Sequence, residues 1–338
     1  MEQAYERYSR QMLFKPIGEE GQKKLNEQTV LVVGVGALGT VLANHLVRAG
    51  VGRIRIVDRD YVEQSNLQRQ MLFDEEDVKN HLPKAIAAKE KLSKINSDVK
   101  VEAIVANASI ENIESLMEEV DLVLDGTDNF KTRFLLNDSC FKNGIPFAYG
   151  GAVSARGMSA LFIPSQTPCL RCFIDNGETQ GQTCDTIGVI SPVVDIVASY
   201  QVVEAMKFLI GDLKALRNTL RTFDLWGNHQ YDMKMVKPKE DCPTCQKAEY
   251  PALHASEDDI TTLCGRETVQ IQRQSKMDLT EWAERLERVA EVKKTPFLIR
   301  VQLVEGERIV IFPDGRILIQ GTEDLTRAKS LYSKYIGD

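Results

Sequence analysis

Apolar residues along the first 150 positions keep two rhythms in turn. Thr29 to Val33 is a continuous β-rich run ending at Gly34, and residues 37–49 carry apolar side chains at helical spacing. Residues 53–57 alternate into a second strand. Residues 83–95 read as a helix with Pro83 near its first turn. Further strands are expected at 99–104, 120–124 and 146–149, with a helix at 130–142 between the last two. Strands alternating with helices imply a mostly parallel sheet covered on both faces.

The rhythm changes after Gly151. A strand is expected at 158–163, then a cysteine pair. Residues 175–186 are rich in Gly, Gln and Thr with little to bury, and are expected to form a mobile loop. A long apolar helix follows at 192–210, then two short strands near 220–224 and 230–235 and a second cysteine pair. This divides the chain into a main domain at 1–248, a polar linker at 249–259 and a small α+β domain at 260–338. The small domain reads as β-α-β-β-β-α, with a turn at Pro313-Asp314-Gly315 and a last helix near 323–335. The fold class is α/β: a Rossmann-like, mostly parallel sheet with an antiparallel extension, plus the small unit.

Composition narrows the function only by exclusion. A hydrophobic share of 43% and a charged share of 27% suit a globular protein, and a net charge of −7 gives no broad basic face for nucleic acid. No apolar run approaches the roughly 20 residues of a membrane span, and the polar N-terminus lacks a signal core. A cytoplasmic location is expected. Seven cysteines, four of them in two close pairs, suggest metal and thiol chemistry rather than a disulfide framework.

Gly34-Val35-Gly36-Ala37-Leu38-Gly39 fits G-x-G-x-x-G between a strand and a helix. Glycine lets a backbone approach a phosphate closely, and the helix N-terminus offers free N–H groups. Asp58 ends the next strand, where it can accept hydrogen bonds from ribose hydroxyls. This pattern supports nucleotide binding without separating NAD from ATP.

Other residues favour ATP. Asp60 follows Asp58, and Asn66-Leu67-Gln68-Arg69-Gln70 comes next. Lys84 opens a helix, and Asp125-Gly126-Thr127-Asp128-Asn129 ends a strand at the sheet edge where such folds bind ligands. Arg10 lies far upstream. A triphosphate with a divalent cation needs both cations and carboxylates. Each residue also has a plain structural reading, such as Asp128 capping the following helix.

With these motifs, RYSRQ at 7–11, GVGALG at 34–39, VDRDYVEQSNLQRQ at 57–70, PKA at 83–85 and DGTDN at 125–129, the chain resembles the ThiF/MoeB/HesA family of adenylating enzymes over about residues 5–248. The resemblance implies Mg-ATP and a ubiquitin-like sulfur-carrier protein ending in Gly-Gly as substrates, serving thiamine-thiazole or molybdopterin synthesis. It implies that Asp58 holds the ribose, that Arg10, Arg69 and Lys84 contact the triphosphate, and that Asp128 holds Mg²⁺. Gly34, Gly36, Gly39, Asp60, Asn66, Thr127 and Asn129 complete the expected nucleotide site. In the family, Arg10 or a neighbouring arginine is commonly supplied by one subunit to the other's site, which implies a homodimer. A tRNA-modifying ATP-dependent dehydratase of the same fold, a nicotinamide-dependent oxidoreductase and a non-catalytic interaction protein remain as alternatives.

Cys169 and Cys172, with Cys242 and Cys245, form two C-x-x-C knuckles that read as one structural Cys₄ zinc site. Cys184 in the expected loop could attack the activated carboxyl or exchange sulfur, or be a plain loop thiol. Cys140 is expected to be packed in a helix, and Cys264 opens the small domain. That domain carries no catalytic cluster and is expected to help dock the carrier or a sulfur-donor protein, or to serve a purely structural role. The four histidines are scattered and suggest no catalytic group.

Overall fold

A computed structural model describes residues 3–174, 187–255, 260–263, 267–273 and 275–337. The expected loop at 175–186 with Cys184, and Cys264, lie outside the described residues. The chain divides into two compact units, residues 1–255 and 256–338.

The first unit is built on eight strands: β1 Thr29–Val33, β2 Arg53–Asp58, β3 Lys100–Val105, β4 Leu122–Asp125, β5 Phe147–Val153, β6 Arg156–Phe162, β7 Thr219–Asp224 and β8 His229–Lys234. Their order is β3-β2-β1-β4-β5-β6-β7-β8. The first five run parallel, and β6 to β8 add an antiparallel extension. Order reverses between β1 and β4, so a crevice opens at their carboxyl ends. Register sets its rim: Val33 lies beside both Val57 and Asp125.

Alternation along β1 feeds two cores. Val30 and Val32 pack with the helices Ala37–Ala49, Lys84–Ile95 and Ser191–Ile210. Leu31 and Val33 pack on the other face with Phe130–Asn143. Helix ends follow the chemistry of their caps. The Asn129 side chain accepts from the Thr132 N–H, and Gly50, Gly144 and Gly211 close their helices at positive φ. Among the described residues no helix is long and apolar enough to cross a membrane.

Residues 249–255, inside the stretch read as linker, belong to the first unit. The turn Pro251–Leu253 packs on the Phe130–Asn143 helix, and the Ala252 N–H donates to buried Asp138 at 2.8 Å.

The second unit is an antiparallel sheet of β9 Ile260–Leu263, β10 Thr268–Gln272, β11 Glu291–Lys294, β12 Ile299–Gln302, β13 Arg308–Ile311 and β14 Arg316–Gln320, in the order β11-β12-β13-β14-β10-β9. Helices Leu279–Leu286 and Leu325–Tyr335 close its core over Val269, Ile299, Ile309 and Ile317. The pattern is therefore β-β-α-β-β-β-β-α, two strands more than expected. One extra strand precedes the first helix and one follows it; the edge strands β9 and β11 are only four residues long and carry little hydrophobic alternation.

Candidate nucleotide and metal sites

The turn after β1 is shaped by close backbone contacts. Gly34 has φ +85, and a Cβ there would lie 2.7 Å from the Gly126 carbonyl group. A Cβ on Gly126 would lie 2.2 Å from the Gly34 oxygen, and one on Gly39 only 1.8 Å from it. Those three glycines let two strand ends and a helix meet. Gly36 differs, because a Cβ there would meet nothing nearer than Gln70 Nε2 at 3.7 Å. It faces open space at the first turn of a helix, where N–H groups lack intrahelical partners. Gln70 is buried, and its Oε1 has no hydrogen-bond partner among the described residues. The open backbone donors fit a phosphate, and the unsatisfied amide oxygen beside them would take a donor such as a ribose hydroxyl.

Asp58 is buried and spans two loops. Its Oδ2 accepts from the Val35 N–H at 2.6 Å and its Oδ1 from the Asp60 N–H at 2.7 Å. Burial raises its pKa, opposed by the Lys84 ammonium. Lys84 is itself buried, with Nζ 3.5 Å from Asp60 Oδ2. Asn66 is buried too, and its Oδ1 accepts from the Glu63 N–H at 3.1 Å, closing the short turn Gln64–Asn66. Arg69 Nη1 donates to the Ser65 carbonyl at 2.9 Å.

At the end of β4 the buried Asp125 takes the Thr127 N–H and hydroxyl on one oxygen and Arg133 Nε on the other, at 2.8, 2.7 and 3.0 Å. Asp128 projects outward from this braced loop and is exposed, with Asn129 Nδ2 3.5 Å away. An exposed carboxylate on a fixed backbone is suited to a hydrated divalent cation.

Arg133 was not singled out in the sequence. It sits one turn into its helix, where spacing from Asn129 turns it back toward β4. Its Nη2 donates to the Thr127 and Gly150 carbonyls at 2.8 and 3.2 Å, and the rings of Phe130 and Tyr149 lie 5.0 and 5.5 Å from its Cζ. Gln201 was missed as well. Its Nε2 ties the Asp125 and Ala148 carbonyls together at 2.9 Å each, and a Cβ on Gly150 would strike its amide. A lone amide in the apolar run 192–210 was the available signal.

Arg10 does not join the site of its own chain. Gln11 Nε2 donates to the Ala49 carbonyl, which anchors the segment at the far end of the Ala37–Ala49 helix. That helix separates it from Gly36 by about 20 Å.

The four cysteines of the two knuckles do converge. Their sulfurs all lie within 4.8 Å of one another, with Cys169–Cys242 at 3.5 Å and Cys172–Cys245 at 3.4 Å. Tetrahedral zinc with Zn–S near 2.3 Å needs sulfurs about 3.8 Å apart, so the set fits that ion. Hydrogen bonds from Cys169 and Cys245 hold Cys172 well below the usual thiol range, and the contact with Cys172 pushes Cys169 up.

Behind this cluster lies Asp138, fully buried in the Phe130–Asn143 helix. It accepts from Arg171 Nε and Nη2 at 2.9 and 2.8 Å and from the Thr244 hydroxyl at 2.6 Å. Arg171 stands between Cys169 and Cys172, and Thr244 between Cys242 and Cys245, so one carboxylate grips both knuckles. Asn137 adds a bond from the Leu170 N–H at 2.9 Å.

The ThiF family model matches residues 8–245. The sulfur carrier protein ThiS adenylyltransferase of Bacillus subtilis (strain 168) is 46% identical over 98% of this chain and 99% of its own. The protein of the same name from Escherichia coli (strain K12) is 35% identical over 71% of this chain and 94% of its own. The SAMP-activating enzyme E1 of Haloferax volcanii is 36% identical over 71% and 88%. Among solved structures, Escherichia coli MccB with MccA-N7isoASN superposes with a TM-score of 0.63 at 24% identity, covering 71% of this chain and 74% of that one, a likeness of fold. The family match thus spans residues 8–245, most of the first unit, and the chain belongs to the ThiF family.

Proposed function

We propose that this protein adenylates the C-terminal glycine carboxylate of a ubiquitin-like sulfur-carrier protein, using ATP and releasing pyrophosphate. The observation that carries the reading is the crevice where the open turn at Gly36 meets Asp58, Lys84 and the braced loop bearing Asp128. The carrier carboxylate attacks the α-phosphorus, giving an acyl-adenylate that a sulfur nucleophile can later displace. The nucleophile is already ionised, so the site needs no base. It needs orientation and positive charge to bring two anions together. The Gly36 turn takes phosphate on backbone N–H groups, Asp58 takes the ribose hydroxyls, and Lys84 and Arg69 offset phosphate charge. Magnesium held at Asp128 would neutralise the phosphates further. Zinc at the four cysteines would serve structure, having no open position. Cys184 would receive the acyl group or exchange sulfur after adenylation. The clustered free thiols suit a reducing compartment such as the cytoplasm.

The near full-length likeness to a ThiS adenylyltransferase favours a ThiS-type carrier, and so thiazole rather than molybdopterin synthesis. The purified protein should catalyse exchange of labelled pyrophosphate into ATP only with Mg²⁺ and a carrier ending in Gly-Gly, faster with ThiS-type than MoaD-type carriers. Carrier-independent exchange, or none, would refute the reading.

The working form is a homodimer in this reading. Leu13 and Phe14 are 71% and 61% exposed beside the segment that carries Arg10. The helix Ser191–Ile210 is largely apolar yet leaves Val203 49% exposed, two turns before Ile210. A helix of that kind is ordinarily covered. A second copy over this surface would hide it and bring Arg10 to the partner's crevice. Phe14→Glu should turn the dimer into a monomer in sedimentation at micromolar concentration. An unaltered dimer would place the interface elsewhere.

A further inference from the structure

Arg133 is nearly enclosed, and five of its interactions are spent within the chain. Its Nε is bound to Asp125, its Nη2 to two carbonyls, and its faces lie against two rings. The guanidinium cannot turn. Its remaining nitrogen, Nη1, has no hydrogen-bond partner among the described residues, and it is not among the atoms sealed from solvent. Nη1 lies 3.9 Å from the point where a Cβ on Gly151 would stand. With no side chain there, the Tyr149 hydroxyl and Nη1 border a narrow space at the carboxyl edge of β4 and β5 that even one added carbon would crowd.

We propose that Arg133 Nη1 donates a hydrogen bond to a backbone carbonyl of the carrier's terminal glycine tail, and so selects a tail without side chains. The inference rests on the adenylation reading for the identity of the ligand. Asp125 already balances the charge of Arg133, so a neutral carbonyl suits the free donor better than a second anion. An extended peptide presents such carbonyls at regular intervals, and only glycine passes beside Gly151 without filling the space. Arg133 would thus bind substrate while holding the Asp125–Thr127 loop with its other nitrogens.

The test measures binding apart from turnover, by calorimetry with a ThiS-type carrier, intact or lacking its last two glycines. Arg133→Lys keeps the charge opposite Asp125 and loses the fork. It should weaken the intact carrier about tenfold or more and bind the shortened carrier as wild type does. Should that variant not fold, Tyr149→Phe/Gly151→Ala plugs the approach without touching the ion pair. Loss of the hydroxyl, 2.9 Å from the new Cβ, makes the room. The same selective loss is expected there, with Tyr149→Phe alone as the reference. Unchanged affinity for the intact carrier, or an equal loss for the intact and shortened carriers, would overturn the assignment. Wild-type protein that binds intact and shortened carriers equally would overturn it too. Carrier binding without pyrophosphate exchange would overturn the adenylation reading alone.

Discussion

Asp128→Ala should lower magnesium-dependent pyrophosphate exchange by about two orders of magnitude or more, roughly 3 kcal/mol of transition-state stabilisation, in a protein of near-native stability. Asp128 is exposed, so truncation buries no unpaired group and opens no cavity. The backbone beneath it is held independently, by Asp125 on the Thr127 amide and hydroxyl and by Arg133 on the Thr127 carbonyl. The loop should keep its place while the cation ligand is lost. Exchange should recover in part at high Mg²⁺ if affinity for the ion is what fell. Exchange near the wild-type rate at low Mg²⁺ would remove Asp128 from the mechanism.

Asp138→Ala should have the largest effect on stability, about 3–5 kcal/mol, because it leaves the Arg171 guanidinium buried without its counter-ion. It also frees the Thr244 hydroxyl and the Ala252 N–H, so both knuckles loosen together. Bound zinc, expected at one ion per chain in the wild type, should fall with it. Denaturant unfolding and metal analysis of the same preparations check both halves. A variant with wild-type midpoint and full zinc would show that the cysteines hold their geometry alone. Arg171 stacked 4.4 Å over the Phe134 ring makes that outcome unfavourable, since the ring cannot replace the carboxylate.

Local pattern carried much of this protein. β-branched runs, helical spacing and capping residues identified the eight strands and four long helices of the first unit to within about two residues, except that β5 runs on to Val153, while the helix Gly18–Glu27 went unread. The glycine motif identified the turn after β1, and C-x-x-C spacing identified the knuckles, because both depend on a few residues close in sequence. Two strands of the second unit escaped, since a short edge strand such as β9 or β11 is made by its neighbour more than by its own alternation.

What the tertiary structure alone decided is which distant residues meet. In sequence the three motif glycines look alike. In space Gly34 and Gly39 serve backbone packing, with Gly126 from another strand, while Gly36 is left for a ligand. Arg133, Gln201 and Asp138 read as ordinary helix residues until the sheet brings Asp125, Ala148 and the two knuckles against them. Arg10 shows the converse, a motif residue held at the wrong end of a helix for its own crevice. Side-chain type and spacing fix local conformation, but hydrogen-bond partners far apart in the chain are set by strand order, and strand order is a property of the whole sheet.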